Sequence, residues 1–387
     1  MNFLNVILGA LAALSFALAL WQWLAARRFP LHQKIAVENF APAISILKPL
    51  KGCDATTRES LQSWLTQNYS GPVEILFGVT DEKDPAVETV RSVLAENPAA
   101  NARLVVCKAL GGTNAKVAKL VQLEDLAQHD LILTCDADVR VPADFLASFV
   151  APLRDEKTAL VNCFYRLANP TTTAMRWEAI AVNADFWSQV LQSATLKPLD
   201  FALGAAILLR RSALAEIGGF AALADCLADD FQLGNRIAKK GHAIALCPVV
   251  VECWDAPTNW RQVWKHQLRW ARTIRVCQPL PYFFSILSNA SLWPLLWLAV
   301  SSAAPKNFFA PLVAMAFLLV RIVIAQSLQR RFTPGRKLVS PAWLVLVKDG
   351  LTATVWLSAF AGNSVEWRGR KLKLRRDGTL ILENGGH

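Results

Sequence analysis

No Cys-x-x-Cys pair occurs among the eight cysteines, and the chain has no Gly-x-Ser-x-Gly, no His-Glu-x-x-His and no Gly-x4-Gly-Lys-Ser/Thr. These absences argue against a zinc ribbon or disulfide framework, a hydrolase nucleophile elbow, a helical zinc protease site and a phosphate-binding P-loop. The cysteines (Cys53, Cys107, Cys135, Cys163, Cys226, Cys247, Cys253, Cys277) are scattered, as expected of reduced, mostly structural thiols. There is no internal repeat and no low-complexity linker. What remains for chemistry is carboxylates, basic residues and a metal held between them.

Charge is also missing where it matters. Residues 3–26, FLNVILGALAALSFALALWQWLAA, carry none, and a helix of that length crosses a hydrocarbon layer of roughly 30 Å. A cleaved signal peptide would want basic residues before a shorter apolar run. Here Arg27 and Arg28 follow it, which predicts a retained anchor over 1–28 with the following chain in the cytoplasm. The mean hydropathy of +0.30 and the hydrophobic share of 53% are high for a soluble enzyme, and the excess lies at the two ends.

Acidic residues number 30 against 41 basic ones, a net charge of +11. A nucleic-acid partner is nevertheless not expected. Much of the excess borders apolar segments, at Arg330, Arg331, Arg336, Lys337 and then Arg368, Arg370, Lys371, Lys373, Arg375 and Arg376, where it suits anionic lipid headgroups.

Between residues 41 and 280 the texture is globular. Strands are expected at 44–50, 73–79, 102–107, 130–138 and 159–166, with helices at 56–67, 85–96 and 114–127. That alternation predicts an α/β fold, a largely parallel sheet with helices on both faces, in which ligands bind beyond the carboxyl ends of the strands. Apolar segments follow near 283–302, 308–328 and 342–361 within a membrane region 281–362, and a basic cytosolic tail occupies 363–387. If all three segments span, that tail ends outside, against the positive-inside tendency; the third, with Lys348 and Asp349 at its middle, is the one expected to be re-entrant.

The strongest feature is LILTCDADVRV, an apolar strand running into Asp136 and Asp138. Alternation along a strand sends both carboxylates to one side, where they can share a divalent cation; a solvated turn is the plain alternative. Asp81 in TDEKDP also follows a strand, or merely makes a turn. Asp229-Asp230 opens a helical stretch, as dipole partners or as a catalytic pair. WRQVWKHQLRWARTIR, residues 260–275, reads as a basic amphipathic helix at a membrane surface; Arg269 could also fork onto a diphosphate and Trp270 offer a flat wall. GGTNAKVAKL could bring Lys116 to a phosphate, or be a loop entering a helix.

Taken in order, these pieces resemble the ceramide glucosyltransferase family and its bacterial relatives, including hopanoid-modifying enzymes. The family's pattern is three separated aspartates and a closing (Q/R)xxRW; Asp81, Asp136, Asp230 and Arg269-Trp270 match it. SILKPLKG at 45–52, GGF at 218–220 and WRGR at 367–370 are similar to family members as well. His266 stands where the pattern has Gln or Arg, and Asp138 completes an Asp-x-Asp that some relatives lack.

The resemblance implies a GT-A type domain on a bacterial inner membrane that moves a sugar, glucose first among candidates, from a UDP-sugar to the primary hydroxyl of a membrane lipid, ceramide first among candidates. A hopanoid or other lipid is the alternative acceptor. Asp81 would lie near the uracil, Asp136 and Asp138 near diphosphate and Mg²⁺ or Mn²⁺, with Lys116, Arg269 and Trp270 on the donor. Asp230 would be the general base of an inverting displacement; Asp229 and His266 face donor or acceptor. A processive polysaccharide synthase would share these motifs but need more spanning helices, and a membrane scaffold would tolerate loss of the aspartates.

Overall fold

The computed structural model describes residues 3–35, 39–108, 111–303, 308–333, 340–367 and 370–382. Arg336, Lys337 and Arg368, expected to face lipid headgroups, lie outside the described residues. The expected strands form as β1 (Ile44–Pro49), β2 (Val73–Val79), β3 (Ala102–Val106) and β4 (Leu131–Cys135), then β5 (Val139–Arg140) and β6 (Thr158–Leu167). Helices Thr57–Leu65, Ala86–Glu96 and Ala115–Leu126 connect them. β1 and β4 are buried along their whole length, as central strands covered on both faces must be, and their sequences are accordingly near-continuous apolar runs.

Two further strands, β7 (Ala206–Arg210) and β8 (Ala243–Cys253), complete an eight-stranded sheet in the order β3-β2-β1-β4-β7-β6-β8-β5. β3, β2, β1 and β4 are parallel; β7 runs antiparallel to both β4 and β6, β8 parallel to β6 and β5 antiparallel to β8. Sequence patterning missed β7 because a five-residue apolar run reads equally as buried helix. It missed β8 because Pro248 interrupts it: the register with β6 jumps from Cys163↔Cys247 to Phe164↔Val250, leaving the proline in a bulge.

The reversal of β7 shapes the ligand edge. Cys135 at the end of β4 pairs with Ala206 at the start of β7, so the segment entering β7 lies beside Asp136, whose amide donates to the Ala205 carbonyl at 3.0 Å. The helix Asp229–Lys239 approaches the same segment through Gly234, where an added Cβ would fall on the Ala202 backbone nitrogen. Glycine alone permits that approach, and it brings the start of the helix to the sheet edge.

Helices Phe3–Arg28 and Phe309–Phe332 are long and apolar enough to cross a membrane. The segment expected near 283–302 is instead a pair, Pro279–Ser288 and Leu292–Ser302, bent by 46°, and Leu344–Ala359 is a shorter helix of 16 residues. Its two charges are buried and paired inside the protein. Arg321 donates to Asp349 at 2.9 Å and to Asp185 at 2.8 Å, Lys348 contacts Asp185 and Asp349, and the Ser291 hydroxyl donates to Asp349 at 2.5 Å. Two cations balance two anions, which is how such groups persist away from water.

The tail is not a free basic extension. β9 (Ser364–Trp367), β10 (Arg370–Leu374) and β11 (Leu380–Leu382) form an antiparallel sheet. Leu372 and Leu374 point inward with Val365, Leu380 and Leu227, while Lys371 and Lys373 point out, the period-2 pattern of a half-buried strand. Asp377-Gly378 makes the turn, Gly378 at φ 85°.

Candidate active site

Asp136 emerges from β4 with its side chain 39% exposed, open to a ligand. Lys116, in the first turn of the helix after the Gly-rich loop, places its Nζ 2.9 Å from Asp136 Oδ1 and 3.0 Å from Asp229 Oδ2. Burial disfavours charge on Lys116, but Asp136 and Asp229 outweigh it and raise its pKa well above the lysine range. Asn114 caps this helix: its Oδ1 accepts from the amides of Lys116 and Val117, and its Nδ2 donates to the Cys226 carbonyl and to Asp229 Oδ1. One fully buried side chain therefore sets Lys116 and Asp229 in register.

Asp230 takes amide hydrogen bonds from Gly204 at 2.8 Å and Phe231 at 2.7 Å. A Cβ built on Gly204 would stand 3.4 Å from Asp230 Oδ2 and 3.5 Å from Asp136 Oδ2; the two carboxylates thus flank one glycine. Burial, and then the charge of Asp229, raise the Asp230 carboxyl, opposed by the Gly204 amide and Lys116. Asp138 lies two positions after Asp136. Burial, then the charges of Asp136 and Asp255, push it up to about 7.

Asp136 and Asp138 at the end of β4 offer two carboxylates of the kind that would hold a divalent cation. Burial first, and then the neighbouring carboxylates, disfavour the Asp138 anion, and a bound cation would offset both. No group of three or more His, Cys, Asp or Glu side chains suited to a metal occurs among the described residues, so a cation here would complete its shell from substrate phosphate and water, the habit of Mg²⁺.

The remaining candidates sit farther out. Asp81 does follow β2, but it is exposed and its Oδ1 accepts from the Lys83 amide at 2.9 Å, a turn contact. The helix Trp260–Cys277 carries the closing motif. Its basic face meets the tail sheet, where the sequence suggested a membrane surface: Lys265 pairs with Glu366 at 2.5 Å, Arg272 donates to the Ser364 carbonyl, Arg275 to Asn363, and Arg269 stacks on Trp367 at 6.0 Å. Trp270 packs on Phe186 and edge-on to His266. His266 Nδ1 lies 2.6 Å from Glu178 Oε1.

Three residues at this edge were not singled out from sequence. Lys48, fully buried in β1, donates to the Asp136 carbonyl at 2.6 Å; only an unpaired lysine inside an apolar strand hinted at it. Asn114 carried an N-cap signal. Glu178 carried none.

A family profile described as Glycosyl transferase family 21 matches residues 7–380. Ceramide glucosyltransferase 3 of Caenorhabditis elegans is 21% identical over 92% of this chain and 77% of its own length. Ceramide glucosyltransferase 1 of that organism is 25% identical over 56% and 47%. A mannosyltransferase from Pyrobaculum calidifontis, solved with GDP-Man and Mn²⁺, superposes with a TM-score of 0.56 at 20% identity, over 92% of this chain and 99% of that one.

Proposed function

Since this chain belongs to glycosyl transferase family 21 and is a glycosyltransferase with a GT-A-like fold, we propose that it transfers glucose from UDP-glucose to the primary hydroxyl of ceramide, inverting the anomeric configuration. The observation that carries this reading is the sheet edge itself: Lys116 bridging Asp136 and Asp229, with Asp136 and Asp230 flanking Gly204. The curated relatives named above are ceramide glucosyltransferases, which supports the lipid acceptor and the sugar.

In this reading Asp136 and Asp138 hold Mg²⁺ or Mn²⁺, as the mannosyltransferase of like fold was solved with Mn²⁺. The cation supplies Lewis-acid stabilisation of the departing diphosphate. Lys116 and Arg269 add positive charge on the same side, Asp81 lies toward the base and Trp270 walls the sugar. The lipid oxygen attacks the anomeric carbon from the face opposite the diphosphate, the carbon–oxygen bond to the diphosphate breaks with its electron pair on the leaving group, and the hydroxyl proton passes to Asp230. One displacement gives a β-glucoside from an α-linked donor.

Mass spectrometry of lipids from a host expressing the chain tests this. A hexosylated lipid absent from the empty host and from an Asp230→Asn strain is expected; an unchanged lipid profile beside well-expressed protein refutes it.

A further inference from the structure

A cavity of about 260 Å³ lies outside the carboxylate cluster, lined by Met175, Glu178, Asp255, Gln262, Val263 and His266 among others. Two sides define its place. The strand β8 delivers one wall: Trp254, just after it, donates its amide to the Asp138 carbonyl at 3.2 Å, and Asp255 is the next residue. The other wall is the pair of helices Thr173–Ile180 and Trp260–Cys277, whose residues Trp177, Val263 and Ala271 cluster with Val355 and Ala359 of the apolar helix Leu344–Ala359. The cavity therefore sits between the Asp136–Asp138 segment and the hydrophobic helices.

Its lining sets two carboxylates, Glu178 and Asp255, beside the neutral polar groups of Thr258, Gln262 and Asn169. Glu178, 7% exposed, accepts at Oε1 from His266 Nδ1 at 2.6 Å and from Gln267 Nε2 at 2.8 Å. With Nδ1 turned to Glu178, the other ring nitrogen, Nε2, makes no hydrogen bond to the described residues and is left to a ligand. The Asp255 carboxylate makes none either; only its backbone is tied, to Asn169. Gln262 spends its Oε1 on the Asn259 amide, which leaves its Nε2 N–H groups to donate. A ligand here meets the Asp255 carboxylate, the open imidazole nitrogen, the Gln262 amide and the Thr258 hydroxyl, a set matched by hydroxyl or amide groups that both donate and accept, and the charges of Glu178 and Asp255 repel a phosphate.

We propose that this cavity is the acceptor subsite, which takes the uncharged, hydroxyl-bearing headgroup of the lipid, with the Asp255 carboxylate as its hydrogen-bond acceptor and His266, held by Glu178, as its second polar contact. The inference rests on the reading of the chain as a lipid glucosyltransferase. It adds which side chains select the lipid, and gives His266 the acceptor side.

The test uses the full chain in detergent with UDP-glucose and either ceramide or phosphatidylglycerol. Wild type should glucosylate ceramide and leave phosphatidylglycerol untouched. In Asp255→Asn and Glu178→Gln, the KM for ceramide should rise about tenfold or more, the scale of one lost hydrogen bond to a charged group, with UDP affinity by titration within about twofold of wild type. Asp255 is solvent-accessible, so its variant keeps the test alive should Glu178→Gln misfold. An unchanged ceramide KM in the folded variants, a parallel loss of UDP affinity, or equal use of phosphatidylglycerol would overturn the subsite. Absence of transfer to any lipid by folded wild type would instead sink the functional reading beneath it.

Discussion

Asp230 receives two amide hydrogen bonds that favour its anion, while burial and the adjacent Asp229 raise its proton affinity, and the balance lies above an ordinary aspartate. The sign follows for both rate and stability. A base must be deprotonated, so the transfer rate should climb with pH through a pKa displaced upward from the usual aspartate range. The folded chain binds this proton more tightly than the unfolded one, so its contribution to stability declines over that same interval as pH rises. Asp230→Asn should erase the acid limb, cut transfer by about 10²-fold or more, the scale of a missing general base, and leave UDP affinity near wild type. A pH–rate profile with UDP titration reads all three. At Asp138, Asn substitution removes a charge at nearly constant volume and relieves repulsion with Asp136. The variant should therefore fold at least as well in thermal melts, yet lose turnover and no longer respond to added Mn²⁺, whereas wild type should lose activity in EDTA and regain it with Mn²⁺.

Individual elements show what sequence could and could not reveal. β4 was readable as a buried strand, and the place of its two aspartates at the sheet edge followed from where that strand ends, although a solvated turn fitted the same residues. The contact of Lys116 with Asp136 and Asp229 was not, since 20 and 113 residues separate these partners in sequence and β7 and the Gly234 packing must form before they meet. The charges in Leu344–Ala359 announced themselves as costly; their partners Arg321 and Asp185 are tertiary facts. Asp185 reaches them from a π-helical turn, Ala181–Phe186, that no periodicity foretells. Arg321→Met leaves Asp185 and Asp349 sharing Lys348 alone, and should destabilise the chain by about 3–5 kcal/mol in denaturant unfolding, as when one partner of a buried ion group is removed.

Across the whole molecule, the tail sheet joins the two ends of the proposed site. Leu227 and Leu380 donate backbone hydrogen bonds across the seam, the Leu227 amide to the Gly378 carbonyl and the Leu380 amide to the Asp225 carbonyl. Asp225 in turn accepts from Thr113, one residue before Asn114. On its other side the sheet grips the helix of Arg269 through Glu366 and Trp367. Truncation after Gly362 should leave the membrane helices inserted, by carbonate extraction, while transfer falls by about tenfold or more through loosened positioning of Asp230. Unimpaired transfer would show that the sheet is dispensable.

The central claim is an inverting transfer to a lipid hydroxyl with Asp230 as base. It is tested most directly by NMR of the product made from UDP-glucose and ceramide by purified, detergent-solubilised chain. The account predicts a β-glucosyl ceramide whose formation Asp230→Asn abolishes with UDP still bound. An α-linked product, or undiminished formation by the Asp230→Asn chain, would contradict it.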